Sequence, residues 1–78
     1  MTSLEPEIAA HLFMIEEQYG VTIPNKEAII SRIAAFTQDS RLVLSVAFSL
    51  NHWMAMHRSR GTVEIPMPVL EMILSTVR

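Results

Sequence analysis

Apolar residues recur along the chain in four blocks at helical spacing, separated by two short β-branched stretches. In the first block Ile8, Leu12, Ile15 and Tyr19 fall on one stripe, while Glu16 and Glu17 lie off it toward water. Ser3 stands where a cap belongs, Glu5 and Glu7 suit the positive helix end, Pro6 is tolerable in an opening turn, and Gly20 offers a left-handed stop. The pattern predicts a helix over residues 4–19. Val21, Thr22 and Ile23 then run into Pro24, which pushes its predecessor to extended geometry, so helix cannot continue. Asn25 is expected to cap a second helix, Lys26 to Phe36, with Ile29, Ile30, Ile33 and Phe36 inward.

Asp39 or Ser40 can cap a third helix from Arg41 to His57, closed by Arg58, Ser59, Arg60 and Gly61. Leu42, Val46, Leu50 and Trp53 form one row on it; Val43, Ala47, Leu50 and Met54 form a second, and Leu44, Phe48 and Ala55 a third. Its polar stripe, Ser45, Ser49 and His52, has no permanent charge, so almost the whole circumference suits burial. After Gly61 comes Thr62, Val63, Glu64, Ile65 and Pro66, a second extended stretch. A fourth helix follows from Met67 or Pro68 to Thr76, with Val69, Leu70, Met72, Ile73 and Val77 as its burial candidates.

The two extended stretches share the pattern V-x-I-P, at 21–24 and 63–66, each shortly after a glycine and just before a helix. Three matching positions are weak evidence of duplication. These elements predict an all-α fold: a compact four-helix domain over residues 1–78 with a nearly all-apolar third helix. It carries a tiny two-stranded β-ribbon, residues 21–23 with 62–65, if the two stretches pair.

Composition sharpens the question of what covers the third helix. Half of the 78 residues are hydrophobic and 18% are charged, too apolar for a disordered chain. A domain this small hides only about 60–65% of the surface its unfolded chain exposes, and small scaffolds are usually reinforced by disulfides, metals or partner subunits. There is no cysteine, which excludes disulfides and thiolate zinc sites. Association is the reinforcement left. Self-association is accordingly expected through Phe48, Leu50, Trp53 and Met54 of the third helix.

The net charge is −2, unevenly spread: residues 1–30 hold five glutamates against Lys26, whereas residues 31–78 hold five arginines against Asp39, Glu64 and Glu71. Glu16, Glu17, Arg58 and Arg60 are expected to steer a protein partner electrostatically. Met56 and His57 join them as partner-binding candidates, because with Trp53 they form an anchor cluster near the end of the third helix. Trp53 suits a core equally well. Six methionines serve irregular cores and adaptable binding faces alike.

Signs of other chemistry are weak. His52 and His57 are about 140° apart round a helix, a poor chelating pair, and Glu7 with His11 has no third ligand nearby, so no metal is expected. No G-x-S-x-G turn occurs, and two glycines do not make a phosphate-cradling loop. Catalytic residues, cofactors and a small-molecule substrate are therefore not expected. The alternative reading is a small DNA-binding regulator of helix-turn-helix type using Arg41, Arg58 and Arg60, but the acidic balance and the aliphatic third helix oppose nucleic acid. The N-terminus carries glutamates where a signal peptide is basic. Leu42 to Met56, although uncharged, reaches only about 22 Å against a hydrocarbon layer of roughly 30 Å. A soluble, cytoplasmic, non-enzymatic interaction module, acting as a regulator, adaptor or inhibitor of another protein, is the expectation.

Overall fold

The structure, a computed structural model, describes residues 3–57 and 60–77. In chain order it contains α1 (Glu5–Tyr19), β1 (Val21–Thr22), α2 (Lys26–Phe36), α3 (Ser40–His57), β2 (Gly61–Thr62) and α4 (Met67–Thr76). The domain is mostly helical, with four helices and a small two-stranded parallel sheet.

Helix α1 buries Ile8, Leu12 and Ile15, whose three- and four-residue spacing puts them on one face. Its N-cap position is Leu4, so Ser3 lies one residue further out than expected, yet its Oγ still accepts the Glu5 N–H at 3.1 Å. Gly20 closes the helix in the left-handed region, φ 64°, and its N–H donates to the Glu16 carbonyl. A side chain at this φ is strained, and glycine, which lacks one, lets the chain turn here. The start of α3 is held by Asp39: its Oδ1 accepts the Arg41 N–H at 2.9 Å, and its carbonyl accepts from Leu42 and Val43.

The two V-x-I-P stretches do come together, in parallel, but pair at 21–22 with 61–62. Val21 lies opposite Gly61 and Thr22 opposite Thr62, and the Val63 N–H donates to the Thr22 carbonyl at 2.8 Å. The offset of two residues relative to the shared motif preserves the alternation of a strand, so Val21, Ile23, Val63 and Ile65 all point into the core. Pro24 cannot extend the ladder. Asn25 does so instead with its side chain: Nδ2 donates to the Ile65 carbonyl at 2.7 Å and Oδ1 accepts the Ile65 N–H at 3.2 Å. Asn25 therefore occupies the N-cap position of α2 without capping it; its amide is spent on the neighbouring strand.

The core is a single apolar cluster drawn from every helix and both extended stretches, with no fully buried polar side chain among the described residues. Helix α4 contributes Leu70, Ile73 and Leu74. Leu74 thus takes the place expected for Met72, which faces outward because 70, 73, 74 and 77 form the stripe that meets the core. On α3 the buried row is Val43, Val46, Leu50 and Met54. The molecule measures 18 Å in its thinnest direction, room for about two layers of helices packed 8–10 Å apart. Helix α3 is covered on one side by α1 and α4 and has no layer over the other.

Candidate protein-interaction surface

The uncovered side of α3 carries Arg41 at its N-terminal end, then Leu44, Ser45, Phe48, His52, Ala55 and Met56. From Leu42 through Met56 the helix has no Asp, Glu, Lys or Arg. Phe48 is 77% exposed, Met56 72% and Leu44 58%; Met72 on α4 and Met14 on α1 are also mostly exposed. Monomeric proteins seldom leave large apolar side chains in a contiguous patch, whereas scattered single ones are ordinary.

Phe48 stands on a ridge between two grooves. Between α3 and α4 lies one of about 430 Å³, walled by Phe48, His52, Trp53, Met56, Val69 and Met72. Between α1 and α3 lies another of about 240 Å³, walled by His11, Met14, Gln18, Leu44, Phe48 and Asn51. The second is bounded by a polar clasp that ties the end of α1 to α3. Tyr19 Oη donates to Asn51 Oδ1 at 2.6 Å, and Asn51 Nδ2 donates to Gln18 Oε1 at 3.2 Å. Trp53 is half-buried against the core and stacks on His57, ring centroids 4.2 Å apart and 24° from parallel.

Four expected self-association residues thus separate into two groups. Phe48 and Trp53 reach the surface. Leu50 and Met54 do not: both are 1% exposed core residues, since they share the row of α3 that faces α1 and α4. Of the residues expected to bind a partner, Glu17, Met56, His57 and Arg60 are exposed. Arg58 lies outside the described residues. Glu16 is not a free steering charge. Its Oε2 accepts the Ile23 N–H at 2.7 Å and the Lys26 ammonium at 2.9 Å, and its side chain is only 10% exposed. Burial on its own pushes the Glu16 carboxyl up, but the Ile23 N–H and the Lys26 ammonium together outweigh it and hold the carboxyl below its ordinary value. Glu16 thereby blocks the open edge of β1, a structural duty that its exposed-looking place on the α1 wheel does not reveal.

Leu44, Met14 and Met72 were not singled out as surface contacts by the sequence. A signal for Met72 was present, because the spacing of Leu70, Ile73, Leu74 and Val77 leaves it off the stripe. None existed for choosing among the three apolar rows of α3. Elsewhere, Arg32 on α2 forms a two-bond ion pair with Glu71 on α4, at 2.6 and 2.9 Å, whose hydrogen bonds hold the Glu71 carboxyl below its usual value. Among the described residues no three His, Asp or Glu side chains converge, and no helix is long and apolar enough to cross a membrane.

The fold and surface define a small helical domain with one uncovered helix face, that of α3, which is apolar and uncharged from Leu42 through Met56. Comparison of the chain with protein-family models, curated proteins and solved structures finds no match.

Proposed function

We propose that the protein is a non-enzymatic interaction module that self-associates through the outer face of α3 and, so assembled, regulates, adapts or inhibits another protein. The observation that supports this reading is the outer face of α3, which from Leu42 through Met56 bears no charged side chain and sets Leu44, Phe48 and Met56 in water, with the exposed Arg41 at its N-terminal end, on a helix whose other side is committed to the core. Placing such side chains outward costs solubility unless something covers them, and a second chain removes that surface from water. Glu17, His57 and Arg60 stand exposed, where they can set the orientation of a different protein by charge.

Sedimentation velocity at micromolar concentration tests the first half: a wild-type monomer overturns self-association. For the second half, Glu17→Lys and Arg60→Glu are compared with wild type in affinity capture from the native host. A captured protein retained equally by both charge reversals overturns the steering role.

A further inference from the structure

We infer that the surface around Phe48 is a site of reversible methionine oxidation, at which peroxide converts Met14, Met56 and Met72 to sulfoxides and spares the core. The chain holds six methionines and no cysteine, so thioethers are its only sulfur and no thiolate competes for the oxidant. The fold sorts them by access. Met14, Met56 and Met72 are 65, 72 and 61% exposed, whereas Met54, two residues from Met56 on the same helix, is 1% exposed and Met67 packs against the core. The three accessible thioethers come from three different helices, yet they are gathered at one place. Met56 on α3 and Met72 on α4 wall one groove, Met14 on α1 walls the other, and Phe48 stands between the two.

The reaction asks only access of the protein. A sulfur lone pair attacks one oxygen of hydrogen peroxide, the O–O bond breaks as the S–O bond forms, and the departing hydroxide takes the remaining proton and leaves as water. Sulfur gives up two electrons and the peroxide oxygens gain them. Each product carries a polar S–O group where an apolar side chain stood, and such a group costs free energy when it is buried without a donor. Between Leu42 and Met56 α3 carries no charged side chain, so three new S–O dipoles change the polarity of this face substantially. The consequence for assembly rests on the self-association proposed above: oxidation weakens it, while the buried Met54 leaves the fold standing. Methionine sulfoxide reductases, which remove the oxygen as water with two electrons from thiols, reverse the change.

Wild type and a variant combining Met14→Leu, Met56→Leu and Met72→Leu are treated with hydrogen peroxide at a dose that preserves the circular dichroism of the fold. Peptide mass spectrometry then maps the sulfoxides, and sedimentation measures association before and after. The expected result is sulfoxide at positions 14, 56 and 72 ahead of any at Met54, and association of wild type weakened about tenfold for each sulfoxide buried at the contact. The leucine variant keeps its association under the same treatment, and the reductases restore that of wild type. Oxidation of Met54 in the folded chain as fast as that of Met56 overturns the site. An associated wild type that survives complete oxidation at the three positions, or a leucine variant that loses association equally, overturns the regulation and leaves self-association intact. A wild-type monomer before treatment overturns self-association and the regulation with it, while the oxidation site stands or falls on the mapping.

Discussion

Asn25 and Ile65, forty residues apart, exchange two hydrogen bonds, the side-chain amide of one reading the backbone N–H and carbonyl of the other at 3.2 and 2.7 Å. This is the geometry of an additional rung in the β1–β2 ladder, supplied by a side chain where Pro24 denies the backbone the chance. It fixes the entry to α2 against the entry to α4. Asn25→Ala is expected to destabilise the fold by about 1–3 kcal/mol, because Ile65 is wholly buried and its N–H and carbonyl lose their partner. Urea denaturation measures it. A loss below a few tenths of a kcal/mol, typical of a surface position, is the contrary result.

Glu16 locks β1 and α2 to α1 through the Ile23 N–H and the Lys26 ammonium. Its folded-state pKa is depressed, so it binds its proton less readily folded than unfolded. The stability it contributes is present above the ordinary value of 4.5 and lost as pH falls through the folded pKa. Glu16→Gln is therefore expected to be less stable than wild type at neutral pH and to converge with it in acid. Denaturation midpoints of the two proteins at pH 7 and pH 3 give the comparison; a gap that widens in acid contradicts the lock.

Helix α3 has two faces of opposite consequence. Leu50→Ala removes a side chain that is 1% exposed and is expected to cost about 2–5 kcal/mol through lost burial and the cavity left behind. Phe48→Ser, at an exposed position two residues away and about 200° round the helix, is expected to leave the stability of the isolated chain within about 0.5 kcal/mol. The comparison is made by denaturation at concentrations low enough to keep the chain monomeric, since association raises apparent stability. Equal losses for the two variants contradict the assignment of faces.

Gly20 tests the stop of α1. At φ 64° with open space around the added methyl group, Gly20→Ala meets no steric neighbour, so its cost is that of the left-handed backbone alone. About 1–2 kcal/mol is expected, read from thermal or urea unfolding. A neutral or stabilising effect contradicts the turn.

The bounds of the four helices were legible because what sets them is local. Pro24, Pro66 and the left-handed Gly20 and Gly61 stop or divert the backbone wherever they occur, and Asp39 can accept its neighbours' N–H groups without help from the rest of the fold. The inward stripe of α1 was legible for the same reason: charged Glu16 and Glu17 contrast with Ile8, Leu12 and Ile15. On α3 that contrast is missing. Three apolar rows compete, and only the positions of α1 and α4 decide that Val43, Val46, Leu50 and Met54 go inside while Leu44 and Phe48 do not.

What the amino-acid order determined by itself is therefore the set of helices, the two extended V-x-I-P joints and the surplus of apolar surface on α3, each a consequence of spacing between near neighbours. Tertiary structure alone decided the parallel register of the joints, the use of Asn25 on Ile65 and of Glu16 on Ile23, and the row of α3 that meets water. Those outcomes depend on groups far apart in the chain competing for the same buried volume and the same unpaired N–H and carbonyl groups, a competition that residue spacing does not record.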